Sequence, residues 1–248
     1  MIEVRGLTKR FGTQTVLDSL DFSIETGESI AIIGRSGVGK SVLVKHLAAL
    51  IKPDSGEVRL DDQDLVPMNE RELLSIRSRF GMLFQGAALF DSLTVAENIA
   101  FAMRGIGGDD REVAERVAEV LQLVELPGIE GKRPEELSGG MKKRVGLARA
   151  IVHRPEIILY DEPTTGLDPM SADTIDQLMM RVNYRLNATT IVVTHDMRTA
   201  RRLGERILYL HGGRIYLDDT AENVFMSEDP VVSRFVKGEA DLKEVEFS

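Results

Sequence analysis

The chain has 248 residues, enough for one large α/β domain or two small ones. Its 43% hydrophobic and 29% charged residues are the balance of an ordinary globular protein, and its longest apolar runs fall far short of a membrane span. The lack of cysteine excludes a disulfide framework, a thiol nucleophile and a Cys-type zinc site, and no basic-then-apolar signal pattern opens the chain. A formal charge of −9 argues against a nucleic-acid or anionic-lipid binder, so membrane contact is expected only through a protein partner.

In chain order, residues 2–11 and 15–24 alternate in part and read as two strands around Gly12-Thr13-Gln14. Residues 25–28 form a turn before the apolar run Ser29-Ile30-Ala31-Ile32-Ile33. That run leads into Gly34-Arg35-Ser36-Gly37-Val38-Gly39-Lys40-Ser41, which opens into a helix over the apolar residues that follow. This helix is expected to end near Ile51, because Pro53-Asp54-Ser55-Gly56 is a stop-and-turn signal. A short strand at 57–60, a helix at 69–78 and a strand at 80–84, ending at Gln85, come next.

The pattern then turns helical. Thr94-Val95-Ala96-Glu97 is a capping box, and residues 105–108 break the chain. Val113, Val117, Val120, Leu121 and Val124 recur at helical spacing, and after a loop at 127–134 another helix starts just past Ser138 and runs to about Val152. Strands resume at 156–160, ending in Asp161-Glu162. A helix carries Ile175, Leu178, Met179, Val182 and Leu186. A β-branched strand at 189–194 ends at His195, and 206–210 turns at Gly212-Gly213 into 214–217. Strands alternating with crossover helices predict an α/β fold. Its sheet is mainly parallel with helices on both faces, an N-terminal antiparallel β flap and a helical insertion over about 86–152.

The segment 34–41 fits G-x-x-x-x-G-K-[ST], in the order strand, loop, helix. Glycines let the backbone wrap closely so that successive N–H groups point at phosphate oxygens, and the helix behind adds the positive end of its dipole. Lys40 can then reach the β- and γ-phosphates and Ser41 can offer its hydroxyl to Mg²⁺. The bland alternative is a tight βα turn with a chance lysine. An apolar strand ending in Asp161-Glu162 suits a buried Mg²⁺ partner beside an acid that orients water. Leu137-Ser138-Gly139-Gly140-Met141 alone reads as a helix N-cap with an entry turn.

Taken together and in this order, the phosphate loop, Gln85, Leu137-Ser138-Gly139-Gly140, Tyr160-Asp161-Glu162-Pro163, Gly166-Leu167-Asp168 and His195 resemble the ABC-type ATPases. The resemblance implies a RecA-like P-loop NTPase core, an ABC ATPase domain over 1–225 and a C-terminal extension over 226–248. It implies ATP and Mg²⁺ as cofactors, with Gly34, Arg35, Ser36, Gly37, Val38, Gly39, Lys40 and Ser41 on the phosphates. Phe11 would stack on adenine, where the family more often has tyrosine; an ordinary core Phe is the alternative. Ser41, Asp161 and Gln85 would face the metal. Glu162 would polarise water, while His195 and Lys40 contact the γ-phosphate. Ser138, Gly139, Gly140 and Asp168 would serve a nucleotide held by a second copy, although Asp168-Pro169 is also a good N-cap. His46, His153 and His211 receive no role.

Phe84-Gln85-Gly86-Ala87-Ala88-Leu89-Phe90, the phosphate loop and Leu137-Ser138-Gly139-Gly140-Met141-Lys142-Lys143-Arg144 further resemble the ATPase of Mla-type, or Mce-associated, phospholipid transport systems. That implies a homodimer driving an integral-membrane permease, with an accessory subunit and a lipid-binding Mce-type protein, peripheral on the cytoplasmic face of a bacterial inner membrane. The rival readings are a regulatory or mechanical ABC ATPase that transports nothing, an ABC ATPase of DNA repair and a P-loop kinase. Many relatives have Gln after Ser-Gly-Gly, and this chain has Met141 and three cations that oppose the helix dipole. They read as a solvated face or, more sharply, as groups offset by a partner's nucleotide phosphate. Residues 86–90, apolar and small, are expected to form a hinge and a groove for a permease helix. The apolar cluster Val231, Val232, Phe235 and Val236 is expected to dock on a second copy or an accessory subunit.

Overall fold

The computed structural model describes residues 1–104 and 109–239; the expected break at 105–108 and the tail from 240 on lie outside the described residues. The chain runs β1 (Ile2–Phe11), β2 (Gln14–Ile24), β3 (Ser29–Ile33), α1 (Lys40–Leu47), β4 (Ser55–Leu60), β5 (Gln63–Asp64), α2 (Glu70–Arg77) and β6 (Phe80–Leu83). It continues through α3 (Val95–Ala100), α4 (Asp110–Leu123) and α5 (Gly139–Ile151) before returning to β7 (Ile157–Asp161). Then follow α6 (Pro169–Leu186), β8 (Thr189–Thr194), α7 (Met197–Leu203), β9 (Arg206–His211), β10 (Arg214–Thr220), α8 (Ala221–Phe225) and α9 (Pro230–Lys237).

Two sheets organise these elements. One has the order β2-β1-β4-β5 and is antiparallel; the other has the order β10-β9-β3-β8-β7-β6, parallel except for β10. The second sheet is covered on both faces, which is why its strands read as unbroken apolar runs. Alternate residues of each strand serve different cores. Ala31 and Ile33 of β3, with Ile158 and Tyr160 of β7, meet the helices α3 to α9. Ile30 and Ile32, with Ile157 and Leu159, meet α1, α2 and the antiparallel sheet. Because β3, β6, β7 and β8 are parallel, the phosphate loop, Gln85, Asp161 and His195 all leave the same edge of the sheet, where such folds bind ligands.

The structure departs from expectation at several places. Helix α1 stops at Leu47 rather than near Ile51. Ala49, at φ 54°, donates to His46 O at 3.0 Å, and Leu50 donates to Lys45 O at 2.8 Å. That is a Schellman closure with alanine where glycine is usual, so no sequence signal marked it. Helix α7 was not foreseen; Asp196 caps it, accepting from Arg198 N–H at 2.8 Å.

The apolar cluster at 231–236, expected to need a second copy or an accessory subunit as its surface, finds a surface on its own chain. These residues form α9, capped by Asp229, and lie on their own chain. Val232 is 1% exposed, Val231, Phe235 and Val236 pack on the main core, and Phe235 stacks on Tyr209 with centroids 5.0 Å apart. Its apolar stripe is therefore used in cis.

Candidate active site

Two glycines of the phosphate loop lie where the chain passes close to its neighbours. A Cβ on Gly34 would meet Leu210 O at 2.4 Å, and Gly39, at φ 109°, lies against Leu17 and Val16. Gly39 is also the N-cap of α1 and offers no side chain to it, whereas α2 to α6 each begin on a residue whose side chain accepts a first-turn N–H. The first N–H groups of α1 are thus left for an anion.

A cleft of about 970 Å³ opens over this turn. Arg35, Ser36, Gly37, Gly39, Lys40 and Ser41 line it, as do Gln85, Glu162 and His195. Two loop residues expected on the phosphates, Gly34 and Val38, do not line the cleft. Gly34 backs onto β9, while the Val38 side chain packs on the core and its N–H bonds Arg35 O at 3.3 Å.

Lys40, buried, donates to Gly34 O at 2.8 Å and Arg35 O at 3.1 Å and lies 3.4 Å from Glu162 Oε1. The other Glu162 oxygen bonds His195 Nδ1 at 2.7 Å and accepts from Thr165 Oγ1 at 3.1 Å. Glu162 itself sits at φ 49°, a backbone region that side-chain-bearing residues rarely occupy and that clusters at working sites. Ser41 donates to Asp161 Oδ1 at 2.8 Å. Burial first, then the neighbouring Glu162 charge, pushes the Asp161 carboxyl up, so a cation beside it would be welcome.

The fit to Mg²⁺ is good on chemical grounds. Among the described residues no cluster of three or more His, Cys, Asp or Glu could hold a metal by itself. One carboxylate and one hydroxyl beside a phosphate cradle is the donor set this hard cation uses when phosphates complete its shell.

Phe11 is 52% exposed and lines the cleft, so it is a presented ring rather than a core Phe. Beside it the cleft wall is built by Tyr209 and His211 of β9 and Arg234 of α9, which the sequence left without a role, and by Val231 and Phe235 of α9, which were expected on a partner instead. The missing signal was strand order. β9 pairs with β3 in the register Ile33↔Tyr209, which sets Tyr209 and His211 next to the phosphate loop.

Ser138, Gly139, Gly140 and Asp168 do not reach this cleft. Ser138 caps α5, accepting from Met141 N–H at 3.2 Å, and Asp168 caps α6 through Met170 and Ser171 N–H, each at 3.0 Å. The two caps lie side by side, with a Gly140 Cβ position 3.7 Å from Ser171 Oγ. The cations after them are not one solvated face, nor do all of them await a phosphate. Lys143 is buried on the main-chain carbonyls of Gln85 and Glu162, and Arg144 lies 3.8 Å from Glu125. Burial lowers the Lys143 pKa, while the Asp161 and Glu162 charges push it back up.

Behind the Glu162 turn, Thr199 of α7 donates to both oxygens of Asp176 of α6, at 3.0 and 3.1 Å, and meets Thr164 Oγ1 at 3.4 Å. Asp176 is 3% exposed and burial lifts its pKa to about 6.

The segment after Gln85 divides its side chains. Leu89 packs on the chain's own core, against the expectation of a groove residue, whereas Phe90 stands exposed with its ring 4.7 Å from that of Phe101. Phe84, Phe90, Phe101, Met82 and His153 line a second cleft of about 480 Å³. No helix among the described residues is long and apolar enough to cross a membrane.

The ABC transporter family matches residues 17–165. The chain is 41% identical over 96% of its length to a probable ribonucleotide transport ATP-binding protein of Mycobacterium leprae, covering 69% of that protein. It is 43% identical over 94% of its length to the methionine import ATP-binding protein MetN of Leifsonia xyli, covering 69% of it. To the intermembrane phospholipid transport system ATP-binding protein MlaF of Haemophilus influenzae it is 38% identical over 97% of this chain and 92% of that one. A dimeric ATP-binding cassette solved in a post-hydrolysis state with ADP and Pi superposes with a TM-score of 0.81 at 35% identity, over 89% of this chain and 99% of that one. With the phosphate loop, Gln85, Asp161, Glu162 and His195 on one sheet edge of this α/β P-loop fold, the chain belongs to the ABC transporter family and is one of its ATPases.

Proposed function

We propose that this ATPase is the nucleotide-binding subunit of an Mla-type transporter that moves phospholipid or another lipid between membranes of a bacterial envelope. The observation that carries this reading is the pair of segments that resemble such systems, Gly86-Ala87-Ala88-Leu89-Phe90 after β6 and Met141-Lys142-Lys143-Arg144 in α5, beside 38% identity over 97% of this chain to the phospholipid-transport relative. The methionine reading is favoured by identity, 43% against 38%, and is kept as the alternative.

In this reading ATP lies in the 970 Å³ cleft, its adenine on the Phe11 ring and its phosphates on the turn 35–41. Lys40 exchanges its contact with Glu162 for phosphate oxygens. Glu162, freed on that side and still held by His195 and Thr165, orients the attacking water, and Gln85 faces the same point from the end of β6. Ser41 and Asp161 would hold Mg²⁺, which would neutralise charge on the transferring phosphoryl group. Because 138–140 and Asp168 do not line this cleft, a second copy supplies them, and two chains make two complete sites. The cleft lined by Phe84, Phe90 and Phe101 receives a cytoplasmic helix of the permease on the inner-membrane face. An accessory subunit and an Mce-type lipid carrier complete the assembly.

The test is to isolate the native membrane complex and identify its subunits and bound small molecules by mass spectrometry. Phospholipid with an Mce-type partner is expected. Methionine, or a nucleotide cargo with an importer permease, would replace this reading with the alternative.

A further inference from the structure

The buried cation of the Met141-Lys142-Lys143-Arg144 run sits far from any role in capping. Lys143 is 5% exposed, and its ammonium donates to Gln85 O and, at 3.3 Å, to Glu162 O. Six residues on, Arg149 donates to Ala87 O at 2.6 Å and Ala88 O at 2.7 Å. Between them Gly146 lets the backbones close up, since a Cβ there would lie 2.9 Å from Leu83 and 3.2 Å from Ala87 Cβ. Positions three apart share a helix face, so α5 presents Lys143, Gly146 and Arg149 as one strip along the chain leaving β6.

The carbonyls held by this strip are unusual. Ala87, Ala88 and Glu162 have φ of 59°, 49° and 49°, a conformation that persists in such residues only when the surroundings enforce it. Burying an ammonium is costly, and the groups that Lys143 bonds directly are main-chain oxygens, with the Asp161 and Glu162 charges offsetting only part of that cost. A cation kept under those terms between the two residues that face the water in the proposed reaction has a positional use.

We propose that Lys143 is a positioning residue that ties the main chains of Gln85 and Glu162 to α5, so that the helix begun by Ser138 moves them as one unit when its N-terminus engages a nucleotide. This rests on the reading of Gln85 and Glu162 given above. Arg149 extends the same grip to Ala87 and Ala88, and Gly146 keeps the contact close. Lys143 touches neither phosphate nor water; it acts through the placement of the Glu162 carboxylate and the Gln85 amide.

The experiment compares full-length wild type with Lys143→Met, Lys143→Arg and Glu162→Gln, reading steady-state ATP hydrolysis, equilibrium ATP binding and amide hydrogen exchange. Lys143→Met is expected to lower kcat about 10- to 100-fold, the scale of a lost charged hydrogen bond, with ATP affinity unchanged within about threefold. Exchange at 83–88 should rise while β3 and α1 stay protected, and Lys143→Arg, which keeps charge and donors, should recover most of kcat. A Lys143→Met chain that hydrolyses ATP within about twofold of wild type while Glu162→Gln is inactive would overturn the proposal. So would equal loosening of α1, β3 and 83–88, which marks plain packing. Should Lys143→Met not fold, Lys143→Gln keeps the donors without the charge, and the same two readouts decide. If Glu162→Gln retains wild-type turnover, the reading of the site fails, and exchange at 83–88 still decides whether Lys143 holds that segment.

Discussion

Helices α1 and α5 both begin on glycine-rich turns, yet the two starts are finished differently. Helix α1 opens on Gly39 with no side chain for its first N–H groups, inside a cleft walled by Lys40, Glu162 and His195. Helix α5 opens on Ser138, which caps it, at an exposed corner shared with the capped start of α6. The first start is left for a ligand that its own chain surrounds. The second is locally satisfied and offers its exposed face outward, which suits a ligand brought by another molecule. A single chain therefore carries one half of each of two kinds of surface.

The comparison breaks most sharply at Glu162. Glu162→Gln is expected to lower turnover by about 10²- to 10⁴-fold, the range for loss of a positioned base, while ATP binding persists. Turnover within a few-fold of wild type would mean that the walled half lacks the base assigned to it. Rapid-quench hydrolysis beside equilibrium binding measures both.

The α9 side of the cleft tests whether the C-terminal helix belongs to the walled half. Phe235→Ala removes the partly buried ring stacked on Tyr209 and is expected to lower stability by about 2 kcal/mol, below the range of a fully buried Phe. Denaturant unfolding measures it, and ATP affinity should fall with it because Phe235 lines the cleft. A change below about 0.5 kcal/mol would show that α9 is only loosely held.

Asp176 tests the scaffold behind Glu162 through pH. Its folded pKa of about 6 lies above the ordinary carboxylate value of 3.8. Between those values the folded chain holds a proton that the unfolded chain has released, so stability falls as pH rises from about 4 to 6, and the full penalty stands above that. Asp176→Asn removes the penalty and keeps an acceptor for Thr199. It should stabilise the chain by about 2–3 kcal/mol at pH 7.5 and by well under about 1 kcal/mol at pH 4, read by chemical unfolding at both. A gain independent of pH would mean that the carboxyl does not titrate in this range.

Phe11 carries the smallest effect. Stacking of a base on an aromatic ring is worth about 1–3 kcal/mol, so Phe11→Ala should raise the Kd for ATP about 5- to 150-fold and Phe11→Tyr should leave it nearly unchanged. Because the ring is 52% exposed, neither change should lower the melting temperature; if both do, Phe11 is a packing residue.

What the sequence made legible follows the physics of each feature. The strand, turn and helix at 29–47 were readable because glycine spacing and an apolar run are local signals. The Thr94 box was legible for the same reason, and the structure shows both of its bonds. The wall of Tyr209 and His211 was not readable, since it depends on β9 lying beside β3, a pairing between residues far apart in the chain. Lys143 misled because charge in a helix's first turn is read as solvent-facing, and only the approach of Gln85 and Glu162 supplies its two carbonyls. The apolar residues of α9 were recognised as needing a surface, but the surface was their own chain.

The most direct test of the two-halves account mixes two inactive chains. Ser138→Asp keeps a good N-cap for α5 while adding a charge that repels phosphate, so this chain should fold, bind ATP in its own cleft and fail to hydrolyse it. Combined with Glu162→Gln, it can form mixed dimers in which one site has an intact Glu162 on one chain and an intact Ser138 on the other. ATP hydrolysis should therefore return on mixing, to about a quarter of wild type if the chains pair at random and sites act independently. Mixed dimers that form, as shown by cross-linking, yet remain inactive would contradict the account.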